Sequence, residues 1–336
     1  MAENPRRPMS PDDVLPPVEP PSAGFLVQLF LVPGLIVAII VGVWLSFHWL
    51  AHLGNDPQAY VRTLRRDNEG RWQAALNLAN DLRGPGGSAL KTDPRLASEL
   101  GGILEDESES GRSGEQTQML RVYLCRALGE FTIPAALPPL IDRCRDINNP
   151  LVARAAVEAL AVLTQNLVDA KQPAVGPEVV ESVVLASRAD DAGLRSAAAF
   201  TLGVVGAKTS GPAVERLEGM LADPSDDVRY NAALALARLG SVESLDTITE
   251  MLSLPDLPGP VAGSAPDDAA QSKRYKRALV VLNALRGLAL LVDATHQPLP
   301  GAVLEKVKSL SSDPVADVRA GVMALDSKLA RVAPGR

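Results

Sequence analysis

Histidine and cysteine are nearly missing from this chain: 336 residues hold only His48, His52 and His296, with Cys125 and Cys144. Three histidines leave little for a zinc centre or a histidine-based triad. Two cysteines cannot staple a disulfide-rich secreted scaffold. Positive charge is not in excess either: 33 Lys and Arg face 40 Asp and Glu, for a net charge of −7. Nucleic-acid binders carry a basic stripe, so no nucleic acid is expected as a partner. Aromatics make up only 4% of the chain. Five of them (Phe25, Phe30, Trp44, Phe47 and Trp49) crowd into one N-terminal stretch, leaving seven for everything from Gly54 onward. A single globular core of that size usually leans on rings that each bury roughly 150–250 Å². Here Ala, Leu and Val must do the packing, which suits closely stacked helices.

What is present begins with an apolar run, FLVQLFLVPGLIVAIIVGVWLSFHWL, from Phe25 to Leu50, without one Asp, Glu, Lys or Arg. A helix of that length spans about 39 Å against a hydrocarbon core of about 30 Å, so residues 25–50 are expected to cross a membrane once, tilted. The run exceeds the 7–15 residues or so of a signal-peptide core, and no small-x-small cleavage site follows it. Trp44 and Trp49 sit where indole rings favour the headgroup region. His48 and His52, one helical turn apart, are better read as solvated at the interface than as metal ligands. Residues 1–24, with seven prolines, read as a disordered tail. Arg62, Arg65, Arg66 and Arg71 follow the span, while Arg6 and Arg7 precede it. The positive-inside rule therefore places the large C-terminal region in the cytoplasm. The absence of any N-x-S/T sequon is consistent with that side.

Internal repetition is the strongest signal in the remainder. Asp223-Pro224-Ser225-Asp226-Asp227-Val228-Arg229 returns ninety residues later as Asp313-Pro314-Val315-Ala316-Asp317-Val318-Arg319. Each copy follows one amphipathic stretch and opens another. After Arg71, Arg121, Arg195 and Arg229 apolar residues fall at +3, +4 and +7, which is one helical face. Arg154 and Arg319 land one residue out of frame, and the helix around Arg277 lacks the aspartate. These segments resemble the HEAT-repeat family, whose units are helix–turn–helix with a D-x-x-D-V-R-like start to the second helix. The resemblance implies an all-α, right-handed solenoid of about seven helix pairs over residues 56–334, preceded by the transmembrane helix. Second helices are placed near Arg71, Arg121, Arg154, Arg195, Arg229, Arg277 and Arg319, at spacings of 33 to 50 residues, around the family period of ~40–47.

The repeat motif has a physical reading. Asp227 and Asp317 precede apolar-periodic runs, where a carboxylate is expected to cap orphan amides, worth ~1 kcal/mol. Val228 and Val318 are expected in the core. Arg195, Arg229 and Arg319 resemble the family's inter-repeat hydrogen-bonding arginine. Asp223-Pro224 and Asp313-Pro314 end the preceding helices, since the residue before proline avoids the α region. Two stretches read as irregular and disordered on composition, the acidic 105–116 and the proline-rich 253–272. Arg112→Ala in the former is expected to change almost nothing.

No chemistry-bearing constellation stands out. Gly84-Pro85-Gly86-Gly87-Ser88-Ala89-Leu90-Lys91-Thr92 lacks the glycine that a phosphate loop needs before its lysine. Cys125 and Cys144 read as small buried hydrophobes, although Arg143 and Arg145 flank the second thiol. Lys273-Arg274-Tyr275-Lys276-Arg277 reads as a solvated helix start. No catalytic residue, cofactor or metal site is expected. The favoured function is a membrane-tethered scaffold for an unknown protein partner; the alternative is an enzyme or enzyme subunit similar to the bilin lyases built on HEAT-like repeats.

Overall fold

The computed structural model describes residues 23–52, 57–66, 68, 70–173, 175–206, 211–255 and 268–332. The chain divides into two units, residues 1–55 and 56–336. In the first, helix α1 runs Ala23–His52 with Pro33 inside it. Its stretch Val27–Ser46 has a mean hydropathy of 2.6, and none of it is buried. The tail expected over residues 1–24 lies outside the described residues as far as residue 22; Ala23 and Gly24 already belong to the helix.

The second unit is all helical, with no strand among the described residues. Its helices come in seven consecutive pairs: α2 (Pro57–Arg65) with α3 (Arg71–Arg83), α4 (Pro94–Glu109) with α5 (Glu115–Gly129), α6 (Leu137–Arg145) with α7 (Pro150–Asp169), α8 (Pro177–Ala186) with α9 (Ala192–Val205), α10 (Pro212–Met220) with α11 (Asp226–Leu239), α12 (Leu245–Leu252) with α13 (Asp268–Thr295), and α14 (Gly301–Ser309) with α15 (Ala316–Val332). Local chemistry sets many of these starts. Pro94, Pro150, Pro177 and Pro212 stand at the first helical position, where a missing N–H costs nothing and φ is already helical. Asp93 caps α4 by accepting from the amides of Arg95 and Leu96, and Asp191 caps α9 through Leu194. Gly240, at φ 85°, ends α11 in the left-handed region that favours glycine.

The second helices touch in chain order, α3 to α5, α7, α9, α11, α13 and α15. The first helices form a parallel layer, α2–α4–α6–α8–α10 and α12–α14. Between the layers the core is mostly Ala, Leu and Val, and among the described residues the one fully buried aromatic is Phe131. Small residues let the second helices approach closely. A Cβ on Gly203 of α9 would stand 2.7 Å from that of Ala235 on α11, nearer than real Cβ atoms come. At Gly129 of α5 the backbone of Ala159 on α7 would be 3.0 Å away. Scarce aromatics and abundant alanine thus follow from one geometric demand, helix axes held close together.

Two expected loops differ from the reading of composition. The acidic stretch 105–116 is mostly helix: α4 continues to Glu109 and α5 begins at Glu115, leaving only residues 110–114 as a link. Glu107, which composition marks as solvated, is only 2% exposed. Its Oε1 pairs with Arg71, 36 residues away, and with Arg112, so a charged residue occupies a core position. In the stretch 253–272, residues 256–267 lie outside the described residues, and 268–272 already belong to α13.

Candidate functional site

A ladder of arginines runs along the starts of the second helices. Arg195 donates from Nη1 to the carbonyls of Ala189 and Asp190, in the turn before its own helix, at 3.1 and 2.8 Å. Its Nε and Nη2 grip both carboxylate oxygens of Asp223 in the next pair, at 2.8 and 3.0 Å. Arg71 bonds the Leu64 carbonyl at 2.7 Å and reaches Glu107 in the next pair at 2.7 Å. Arg229 reaches back to the Asp223 carbonyl at 3.3 Å and forward to Glu250 of α12 at 2.9 Å. Arg277 bonds the Leu254 carbonyl at 3.3 Å and Asp313 at 2.7 Å. Arg121 donates to the carbonyls of Glu107 and Arg112, and Arg319 to those of Asp313 and Pro314. Each guanidinium thus ties its own turn together. Four of them also bridge to the following pair, as the five-donor fork of arginine allows.

Asp223 and Asp313, the first residues of the two motif copies, carry the complementary half. Each accepts the amide two residues on, Ser225 and Val315, at 2.9 Å. The Arg195 fork holds the Asp223 carboxyl below the usual carboxylate range, helped by the Ser225 amide, and Asp223 in turn raises the Arg195 pKa. The residues expected to cap do not stand at the cap. α11 begins at Asp226 after Ser225, and α15 at Ala316, so Asp227 and Asp317 lie in the first turn and face solvent. There they act on the helix dipole only. The asparagine-like turn made by the earlier aspartate has taken over the start. Val228 and Val318 are fully buried. Of the two out-of-frame members, Arg319 joins the ladder and Arg154 pairs instead with Glu158 on its own helix at 2.8 Å.

Across the exposed side of α7, α9 and α11 lies a groove of about 320 Å³. Phe200 stands in it, 51% exposed, with Gly193 and Ser196 from the same helix. The Arg154–Glu158 pair forms one wall, and Asp227 and Asn231 form the other. Asn231 donates to the Ser196 hydroxyl at 2.8 Å, which ties α11 to α9 beside the ring. An exposed phenylalanine with ion-paired and amide groups around it has the makeup of a protein-contact patch, an apolar anchor with a polar rim.

Residues 180–259 match the family model of HEAT repeats. The matched stretch takes in most of α8, all of α9 to α12, the ladder members Arg195 and Arg229 and the groove's Phe200. Among curated proteins, none matches the chain. Solved structures similar to it include an engineered protein, at 17% identity over 84% of this chain and 100% of that one, with a TM-score of 0.37. Escherichia coli YibA is similar at 17% identity over 85% of this chain and 96% of its own, with a TM-score of 0.44. Human deoxyhypusine hydroxylase, solved in complex with glycerol, is similar at 17% identity over 82% and 96%, with a TM-score of 0.30.

The other candidate residues fall as follows. Burial pushes both thiols, Cys125 and Cys144, up to about 12, and Ser182 hydrogen-bonds the second. Neither is poised as a nucleophile at neutral pH. Among the described residues no group of three or more His, Cys, Asp or Glu comes together to hold a metal ion. The glycine-rich Gly84–Thr92 stretch follows helix α3 and winds into two short 3₁₀ turns, with Leu90 buried. In the basic cluster Tyr275 is 66% exposed, whereas Arg277 is buried in the ladder, so that cluster is not uniformly solvated. Trp44 is 62% exposed on α1; the side chain of Trp49 lies outside the described residues. Arg112, expected to be inconsequential, places Nη2 2.8 Å from buried Glu107. Replacing it takes one of two ion-pair partners from that carboxylate, so Arg112→Ala is expected to lower the urea midpoint rather than to be silent.

Proposed function

We propose that the chain is a membrane-tethered scaffold whose repeat surface binds another protein and carries out no turnover of its own. The Phe200 groove on the second-helix side is the observation that carries this reading. It offers an exposed ring between ordered polar walls. α1 is the proposed anchor. Among the described residues three helices are long and apolar enough to cross a membrane, but Pro150–Asp169 and Ala270–Thr295 bury 61% and 44% of their apolar windows inside the repeat stack, while Val27–Ser46 buries none. A single crossing leaves the repeats intact. A tether concentrates the groove near membrane-bound partners without adding any contact.

Capture of a partner by the full chain, crosslinked in its native membrane, is expected to fall at least tenfold in Phe200→Asp. Removal of an interface anchor commonly costs 2 kcal/mol or more. Glu181→Ala, on the exposed side of α8, should leave capture unchanged. Equal capture by the two variants would remove the groove from the reading. Turnover of a small molecule by the chain would favour the enzyme alternative.

The repeats are proposed to face the cytoplasm, on the balance of Arg62, Arg65, Arg66 and Arg71 against Arg6 and Arg7. A reporter cysteine at the exposed Ser272 tests this cleanly, because Cys125 and Cys144 are buried and silent. A membrane-impermeant reagent should label it only after the membrane is opened. Labelling in intact cells would reverse the orientation.

A further inference from the structure

One register recurs along the second helices on the side turned away from the core. The fifth residue after the ladder arginine is Phe200 on α9, Leu234 on α11 and Leu282 on α13. Met323 takes that place on α15, shifted by the same residue that puts Arg319 out of frame. Phe200 and Met323 are 51% and 63% exposed, and Leu234 and Leu282 are half-buried. The two leucines also close the seams between helices. A Cβ on Gly287 of α13 would stand 2.7 Å from Leu234 Cδ2, and one on Gly321 of α15 3.1 Å from Leu282 Cδ2. An apolar row therefore crosses four successive helices, where exposed apolar residues are ordinarily scattered singly. Beside it runs a row of cations. The ninth residue after the arginine is Arg238 on α11 and Arg286 on α13, both exposed. Neither enters an ion pair with the described residues; Arg286 donates to Asn283 at 3.4 Å.

The acids nearby do not cancel these two charges. Asp293 is held by Lys328, and Asp226 and Glu250 by Arg229. Asp227 lies eleven residues before Arg238 on the same helix, about 16 Å along its axis. Glu243, exposed in the turn after α11, is the acid nearest to Arg238 in the chain and does not bond it. Arg286 stands eighteen residues into α13, about 27 Å from the charges at its start. On α15, Asp317 and Asp326 are outnumbered by Arg319, Lys328 and Arg331. Together α11, α13 and α15 hold ten Lys and Arg against six Asp and Glu, in a chain of net charge −7. Setting aside Arg229 and Arg277, which serve Glu250 and Asp313, eight remain against six.

We infer that this row docks an amphipathic helix with an acidic edge, supplied by the protein partner. The inference rests on the scaffold reading above and extends the Phe200 groove across α11, α13 and α15. Neighbouring packed helices lie about 8–10 Å apart. In a helix laid across them, residues seven apart share a face at a spacing of about 10.5 Å. Apolar side chains at i, i+7 and i+14 thus meet one member of the row per second helix. Carboxylates on the adjoining edge, also seven apart, meet Arg238 and Arg286 in turn. An extended segment fits worse, because its amides and carbonyls must find partners and the row offers hydrocarbon. The amide beside it, Asn231, already donates to Ser196. A helix brings its backbone satisfied. A basic edge would set like charges opposite the two arginines, which disfavours it.

A fluorescent peptide of about 22 residues, long enough to cross four helices, tests the site. It carries leucine in the i, i+3, i+4, i+7 pattern, glutamate along one edge, and alanine and glutamine elsewhere. Anisotropy is read with the full chain in phosphatidylcholine nanodiscs, and empty nanodiscs subtract the binding to lipid. The glutamate-edged peptide should bind saturably and at least tenfold more tightly than its lysine-edged counterpart. Arg238→Glu combined with Arg286→Glu should invert that preference. Both positions are exposed, so circular dichroism should show the helix content unchanged. Met323→Asp should weaken the glutamate-edged peptide at least tenfold, while Glu181→Ala on α8 leaves it unchanged. Two prolines set mid-peptide should abolish binding. Absence of saturable binding, equal affinity for the two edges, or a preference that the double reversal does not invert would overturn the inference. So would a proline-broken peptide that binds as well, which would assign an extended occupant. Capture in the native membrane is read separately: if it still falls in Phe200→Asp, the scaffold stands even where the docked helix fails.

Discussion

Val228→Asp is expected to destabilise the repeat unit by about 4–5 kcal/mol, the range of a buried, unpaired charge. Val228 is fully buried in the first turn of α11. Two effects compete there. An acidic side chain near a helix N-terminus gains about 0.3–1 kcal/mol from the dipole, whereas stripping water from a carboxylate without a partner costs several times as much. Arg229 does not rescue it, because its guanidinium is committed to Asp226, Glu250 and the Asp223 carbonyl. Burial wins. Urea unfolding followed by far-ultraviolet circular dichroism reads the effect, with Glu181→Ala as a surface control expected to stay within about 0.5 kcal/mol. Matching midpoints for the two variants would mean that Val228 does not face the core.

Asp223→Asn should cost about 3 kcal/mol at pH 7, because it leaves the Arg195 fork without its counter-charge between two repeats. Both side chains are largely shielded, at 14% and 9% exposure for Arg195 and Asp223. The pH dependence follows from the sign of the shift. Arg195, and then the Ser225 amide, hold the Asp223 carboxyl below its ordinary value, against the opposing effect of burial. Its contribution is therefore fully present above the unfolded value of about 3.9 and fades as pH falls through the lower folded value. Urea midpoints of the parent chain and the variant should be well separated from pH 7 to pH 5 and converge as pH falls below about 4. A separation that persists undiminished at pH 2 would show that the loss is one of packing and not of charge. Loss of the Arg195–Asp223 grip should also loosen α9 from α11, since Ser196–Asn231 is the neighbouring polar tie between those helices.

How much of this architecture was legible depends on the range of the interactions involved. The 3.6-residue period after Arg71, Arg121, Arg195 and Arg229 marks second helices because a helical face is a property of consecutive residues. Proline at a first turn and Asp-Pro at an end act within a few residues as well. The arginine ladder was half visible: the arginines recur in frame, but their partners do not. Asp223 lies 28 residues from Arg195, and Glu107 lies 36 from Arg71, with nothing in local composition to pair them. The phenylalanine at 200 carried a faint signal, a lone ring on a helix otherwise lined with alanine. Only the approach of α7 and α11 shows that it stands in a groove.

By itself, then, the amino-acid order determined that the chain is helical, where many of its helices begin and end, and that residues 27–46 form an apolar helix without a charge. Periodicity, backbone stereochemistry and hydropathy act over one or two turns and need no partner. The tertiary structure alone decided that Glu107 is a core residue, that Arg112 guards it, and that Asp223 rather than Asp227 organises the α11 start. Each of these depends on which distant groups come within about 3 Å. In water an aspartate or glutamate is indifferent to its place in the chain, and its burial becomes tolerable only when folding brings an arginine to it.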